Sequence, residues 1–414
     1  MQTGLDIERA ALLLIDVQRD VLHEEGALAR IGLPDLNAED RQRLVVQWRE
    51  LVQAMRGAGR PVVWVKTAVR SDFADSGLAD AWVAPRREAA GAFLIEGSWG
   101  AELMDGLPFE ADDYVVVKKS HSAYTDTSLD RLLTNLGIEQ CIVAGGGVED
   151  AVAETARTGG RLGYEQFVVE DALYPPRGTN LRMVSTAAEL INSEDVLTAA
   201  SQTTPEETDE SGPDYAMVLV DMQNDFMNND RAHVRHGLSA PMADEKRARI
   251  IDNTNQVADA MRARGWPVIY VRVVRRGDNL DDVHTRTHRR QRTVPAGDTH
   301  CVEGTPGAEI VAELAPKSGD FMVEKKGGSG FGYTPLHRIL RNLNARRLLV
   351  TGGATTGCVW ATVQDGVALG YDVTVIGDAT YPVEGPGLEM LSRWCAVRTA
   401  ADVLPELTNV PSPA

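Results

Sequence analysis

Short apolar, β-branched runs alternate along this chain with longer stretches in which apolar residues recur every three or four positions. In the second half, Ala216–Val220, Pro267–Val274, Phe321–Glu324, Arg347–Thr351 and Val373–Ile376 read as buried strands. Lys246–Arg264 and Thr334–Asn344 between them read as amphipathic helices. A strand that is apolar on both faces needs cover on both. The alternation therefore predicts an α/β fold, a parallel sheet flanked by helices on both faces. Polar residues at the carboxyl ends of such strands are the first candidates for chemistry.

The pattern occurs twice. Ala11-Leu-Leu-Leu-Ile-Asp16-Val-Gln18 returns as Met217-Val-Leu-Val-Asp221-Met-Gln223, and Gly59-Arg-Pro61-Val-Val-Trp-Val-Lys66 returns as Gly265-Trp-Pro267-Val-Ile-Tyr-Val-Arg272. Val117-Lys118-Lys119 matches Glu324-Lys325-Lys326, Gly163-Tyr164 matches Gly370-Tyr371, and Asp171-Ala172 matches Asp378-Ala379. The offset is 205 at the first motif and settles at 207 from Gly97 onward. A frame kept for so long implies two tandem domains, 1–200 and 214–414. The polar, acidic, proline-containing stretch 201–213 reads as a linker, and the tail from Thr408 as frayed.

Composition narrows the partners. The formal net charge is −18, so nucleic acid and anionic membrane are poor partners. No stretch approaches the 18 or so apolar residues of a membrane span, and the start has no basic leader pattern. The cysteines are Cys141, Cys301, Cys358 and Cys395, with no C-x-x-C pair, so neither a disulfide framework nor a zinc knuckle is signalled and a cytoplasmic location is expected.

Three polar residues of the second half fall at or near predicted strand ends. Asp221 follows Met-Val-Leu-Val, Lys325 follows Phe-Met-Val-Glu, and Cys358 follows a strand and a glycine turn, at a predicted helix start. A helix N-terminus favours thiolate and supplies N–H groups for an oxyanion. A carboxylate can shuttle the thiol proton to a leaving amine, and an ammonium keeps that carboxylate ionised. Taken singly, each has a plainer reading: a turn-forming aspartate, a solvated lysine, a small buried cysteine.

The motifs Leu-Val-Asp221-Met-Gln-Asn-Asp-Phe226, Glu-Lys325-Lys-Gly-Gly-Ser329-Gly-Phe331 and Thr-Gly352-Gly-Ala-Thr-Thr-Gly-Cys358-Val resemble those of the isochorismatase-like cysteine hydrolases. That family includes nicotinamidase, N-carbamoylsarcosine amidase and ureidoacrylate- or biuret-type amidohydrolases. The resemblance covers nearly all of both halves. It implies Asp221 as general acid/base, Lys325 as its electrostatic partner and Cys358 as nucleophile. It also implies a cis peptide before Ala354, with the Ala354 and Cys358 amides forming an oxyanion hole. The activity implied is hydrolysis of a small amide or N-carbamoyl compound through a thioester.

The first half departs from the pattern. Asp16 and Lys118 match, but the place of Cys358 is taken by Ala151 in Val143-Ala-Gly-Gly-Gly-Val-Glu-Asp-Ala151-Val. Alanine excludes thioester chemistry there. A silent copy that packs against its sibling as a pseudo-dimer is one reading, with a further homo-oligomer left open. Cysteine-independent hydrolysis of a vinyl ether by Asp16 and Lys118, as in the isochorismatase branch, is another, and a non-catalytic binding or scaffold role a third.

Weaker signals remain. His284 and His288 stand four apart, but the Asp-x-His zinc cluster of nicotinamidases has no counterpart in Arg275-Arg-Gly-Asp278, so no metal is expected. Arg286, Arg289, Arg290 and Arg292 form a basic run that is either a solvated face or a clamp for a substrate carboxylate. Phe226, Phe331, Trp360 and Tyr381 are candidates for the substrate pocket wall. No G-x-G-x-x-G or Walker motif occurs at the expected turns, so no nucleotide cofactor is expected.

Overall fold

The computed structural model describes residues 4–33, 36–78, 88, 91, 93–175, 181–203, 215–230, 234, 241–277, 281, 300–382 and 385–409. The chain divides into two compact units, Met1–Asp209 and Glu210–Ala414. Within the stretch read as a linker, Ser201 and Gln202 close the helix Ser193–Gln202, and residues 204–213 lie outside those described.

Each unit is built on one six-stranded parallel sheet. The first contains β1 (Ala10–Ile15), β2 (Val62–Thr67), β3 (Tyr114–Lys118), β4 (Gln140–Gly146), β5 (Glu165–Tyr174) and β6 (Glu189–Ile191), in the order β3-β2-β1-β4-β5-β6. The second contains β7 (Tyr215–Val220), β8 (Val268–Val273), β9 (Phe321–Lys325), β10 (Arg347–Gly353), β11 (Asp372–Tyr381) and β12 (Ala396–Arg398), in the order β9-β8-β7-β10-β11-β12. The two orders are the same topology, so the repeat in sequence is a repeat in architecture.

The cores explain why the strands are apolar throughout. Leu12 and Leu14 of β1 pack with Leu44, Trp48 and Leu51 of the helix Ala38–Gly57, while Leu13 and Ile15 face Leu129, Leu133 and Ala156. In the second unit Met217 and Leu219 pack with Ile250, Val257 and Met261, while Val218 and Val220 pack with Leu336, Leu340 and Val363. Successive side chains point to opposite faces and both faces are covered, so the alternation expected of a half-buried strand disappears. Each fully buried leucine contributes about 1.5–3 kcal/mol.

Two strands extend past their sequence signal. The apolar run of β11 ends at Ile376, yet pairing resumes at Gly352↔Thr380 and Gly353↔Tyr381 after a register shift. The short edge strand β12 pairs only Ala396–Arg398 and has no apolar run to announce it.

β1 and β7 lie at the centre of their sheets, and their carboxyl ends deliver Asp16 and Asp221. Beside them β4 and β10 end in glycines for a steric reason. Gly352 has φ 108°, and a Cβ there would lie 1.9 Å from the Val220 carbonyl oxygen; Gly145 has φ 111° and would meet Ile15 O at 2.2 Å. Only a glycine lets the two central strands approach so closely at the site.

Candidate active site

In the second unit the three polar strand-end residues converge. Asp221 leaves β7 with φ 54°, a conformation disfavoured for a side chain with a Cβ and often found at functional sites. Its backbone carbonyl accepts hydrogen bonds from the Tyr381 hydroxyl and from the Gln223 amide, the latter at 2.8 Å. Gln223 is buried and ties the strands together: its side-chain amide donates to Val273 O and to Ala308 O, both at 2.7 Å. Lys325, at the end of β9, is 1% exposed and donates to Asp221 Oδ2 at 2.9 Å and to Gly327 O at 3.0 Å. Burial alone would lower the pKa of Lys325, but the Asp221 carboxylate and the Cys358 sulfur outweigh it and the net shift is upward. The ammonium stays charged.

Asp221 Oδ1 is buried and has no hydrogen-bond partner among the described residues. Cys358 opens the helix Cys358–Ala368 and interacts with both Asp221 and Lys325. Burial first, then the Asp221 carboxylate, push its thiol up to about 12, against the pull of Lys325. Sequence reasoning expected the helix start and the lysine to favour thiolate; burial and the Asp221 carboxylate act in the opposite direction. Oδ1 is a buried acceptor on the carboxylate with which Cys358 interacts. The Gly353–Ala354 peptide is cis. Among the described residues the Ala354 and Cys358 amides donate to no protein acceptor, although Ala354 O accepts from Gly357 at 2.9 Å and Val359 at 3.1 Å.

The first unit places Asp16, Lys118 and Ala151 in the same frame and closes each opening. Asp16 (φ 52°) pairs through Oδ2 with Lys118 Nζ at 2.9 Å. Its other oxygen, Oδ1, accepts the Thr67 hydroxyl at 2.8 Å, and Lys118 also donates to that hydroxyl oxygen at 2.7 Å. Thr67 corresponds to Val273, since each is held by the buried glutamine of its own unit and each pairs with the lysine on the neighbouring strand. The Ala151 amide, which corresponds to that of Cys358, donates to Asp150 Oδ1 at 2.7 Å. A Cβ on Gly147, the counterpart of Ala354, would meet the same oxygen at 2.4 Å. The carboxylate of Asp150 is thus the acceptor for the amide at the place of Cys358.

The four aromatic candidates separate. Phe226 packs against Cys301 and edge-on to His300, at a ring distance of 5.5 Å, close to the polar cluster. Tyr381 holds the Asp221 backbone and is 7% exposed. Phe331 stacks on Tyr371 at 5.7 Å within the core beneath the helix Cys358–Ala368, and Trp360 meets Trp394 edge-on at 6.0 Å. His284, His288 and the arginines at 286, 289, 290 and 292 lie outside the described residues. Among the described residues no three His, Cys, Asp or Glu side chains come together as a metal site.

A family model described as an isochorismatase domain matches residues 10–191 and again 215–389. Ureidoacrylate amidohydrolase RutB of Klebsiella pneumoniae is 34% identical over 180 residues, spanning 40% of this chain and 72% of its own. A protein of Arabidopsis thaliana described as a probable inactive nicotinamidase is 32% identical over 170 residues, 40% of this chain and 79% of its own. Among solved structures, N-carbamoylsarcosine amidase from Thermoplasma acidophilum is 24% identical with a TM-score of 0.37, covering 45% of this chain and 96% of its own.

Proposed function

This chain belongs to the isochorismatase family in both of its halves, and from that premise we propose that the second half is a cysteine amidohydrolase and the first a silent copy. The observation that carries the reading is the Asp221 carboxylate. One oxygen is fixed by a buried ammonium at 2.9 Å and the other is bare, beside a thiol at a helix start.

The chemistry follows from those positions. Cys358 Sγ attacks the carbonyl carbon of a small amide or N-carbamoyl group while Asp221 Oδ1 takes the thiol proton. The carbonyl oxygen gains negative charge between the Ala354 and Cys358 amides. Collapse breaks the C–N bond; Asp221 returns the proton to the departing nitrogen, which leaves as ammonia or an amine. The acyl group remains on sulfur as a thioester. Asp221, ionised again, then takes a proton from water, whose oxygen attacks the thioester carbon, and the thiol regains its proton as the acid product leaves. Lys325 keeps Asp221 charged between the two proton transfers. The amidohydrolase described among the relatives supports this reaction class.

The first half keeps the Asp16–Lys118 pair but not the rest of this cycle: Ala151 stands in place of the nucleophile, Asp16 is capped by Thr67, and Asp150 accepts from the amide at the oxyanion position. The same capping weighs against vinyl ether hydrolysis by Asp16, whose two oxygens are both engaged. The test is ammonia release from a panel of small primary amides and N-carbamoyl compounds, with mass spectrometry of quenched enzyme. Release that disappears in Cys358→Ala, with an acyl adduct on Cys358 in the native protein, is the expected result. Turnover that survives Cys358→Ala and is lost in Asp16→Asn would place the chemistry in the first half.

A further inference from the structure

Tyr381 closes β11 and touches both sides of the candidate chemistry. Its hydroxyl donates to the backbone carbonyl of Asp221, the residue that carries the base. Its ring lies against the turn that leads to Cys358: a Cβ on Gly353 would stand 2.1 Å from a ring carbon, so the glycine there is a seat for the ring. Gly353 and Tyr381 are also register partners where β10 pairs with β11. The Tyr381 carbonyl accepts the Thr355 amide at 3.0 Å, and the Thr355 hydroxyl donates to the next carbonyl, Pro382 O, at 3.1 Å. Both Thr355 and Tyr381 are buried. Burial first, then the charges of Asp221 and Cys358, raise the phenol of Tyr381 well above its ordinary pKa, so it stays a donor.

The base and the turn need such a tie because they come from different strands. Asp221 leaves β7 with φ 54°, a conformation its own Cβ disfavours, so it has to be held from outside. The turn follows β10, whose pairing with β11 shifts register between Val350 and Gly352, just before the site. The duplication separates frame from site. In the first half Tyr174 donates to Asp16 O at 2.6 Å, and a Cβ on Gly146 would stand 1.6 Å from its ring. The place of Thr355 is taken there by Val148, which has no hydroxyl to donate. The tie from tyrosine to aspartate is common to both copies; the threonine hydroxyl that fastens the turn belongs to the copy that has a nucleophile.

We propose that Tyr381 is a positioning residue of this site, a strut that fixes the Asp221 carboxylate and the Gly353–Thr355 turn at a set separation. Proton transfer and oxyanion stabilisation must act on one carbonyl group together, and a small misplacement of either costs rate rather than binding. No atom of Tyr381 reacts, since its hydroxyl is engaged with Asp221 O. The proposal rests on the reading of Asp221 and Cys358 as base and nucleophile. The experiment compares Tyr381→Phe with Tyr174→Phe in the full chain. Each variant removes one hydroxyl and leaves the ring against its glycine. Ammonia release is followed on the small primary amides and N-carbamoyl compounds that the native chain hydrolyses, at a temperature well below the unfolding midpoints, with kcat and KM separated.

Tyr381→Phe should lower kcat by about tenfold or more while KM stays within about twofold. Tyr174→Phe, which loses the same hydrogen bond in the copy without a nucleophile, should leave both within about twofold. Thr355→Val, the residue of the first half, cuts the strut at its other end and should show the same split; it decides the matter if Tyr381→Phe does not fold. An unchanged kcat in folded Tyr381→Phe and Thr355→Val would overturn the proposal and leave the nucleophile standing. A raised KM with unchanged kcat would also overturn it, and would make Tyr381 a wall of the substrate pocket. Absence of ammonia release by the native chain from every compound of the panel would overturn the functional reading, and the proposal with it.

Discussion

A thiol that burial pushes up to about 12 cannot behave like the exposed, pre-ionised cysteine of many thiol enzymes. Ionisation is disfavoured in the folded protein, so the thiolate fraction should grow tenfold per pH unit across the range below that value. Iodoacetamide labelling of Cys358 should therefore rise with a slope near one from pH 7 to 10; a plateau near neutrality would show a preformed thiolate. The base can be tested by copying the first half. In Val273→Thr a hydroxyl would face Asp221 Oδ1 as Thr67 faces Asp16, and turnover should fall by about tenfold or more with little change in melting temperature. Asp221→Asn and Lys325→Ala should each cost about 10²–10⁴ in turnover, with the fold intact by circular dichroism. Asp221 and Lys325 stood out in the sequence because strand periodicity marks where each run ends, Cys358 because it follows a strand and a glycine turn, and the roles expected of all three came from the family resemblance. Thr67 and Asp150 were not legible, because what matters at each is the hydrogen bond its side chain makes. A position-by-position comparison of the copies carries the signal, since Thr67/Val273 is a change of polarity at a buried place.

At the scale of elements, the junction of β7 and β10 is the least tolerant place in the second unit. Gly352→Ala would set a Cβ 1.9 Å from the Val220 carbonyl oxygen at a φ of 108°. It should destabilise by about 2–4 kcal/mol, since it combines backbone strain with overpacking. Gly265→Ala is the control: φ is 70° and nothing lies within 4 Å, so the cost should stay near the 1–2 kcal/mol of a left-handed residue. Chemical denaturation of both variants separates the two contributions. The helices and central strands were readable because long buried runs and amphipathic stretches are periodic. The extension of β11 was not, because its last pairs follow a register shift and are formed by Thr380 and Tyr381 rather than by the apolar run.

For the whole molecule, two sheets of one topology carry two different sets of side chains at the same strand ends. If the first copy is silent, Asp16→Asn should leave steady-state turnover within about twofold, because that residue serves a site without a nucleophile. The duplication also has a history written in three places. On the proposed reading, Ala151 stands in the place of the nucleophile, Thr67 donates to the counterpart of the base and Asp150 accepts from the amide at the oxyanion position. Repairing one leaves the other two, so Ala151→Cys alone should yield no detectable hydrolysis. Only the combination with Thr67→Val and Asp150→Gly, the residues the second half has at the matching places, Val273 and Gly357, alters all three positions together. No single step along that route gives selection anything to act on. If the first copy is silent, it is in this sense past the point of reversion, and its surface is at liberty to drift toward other uses while a catalytic sibling is held in place.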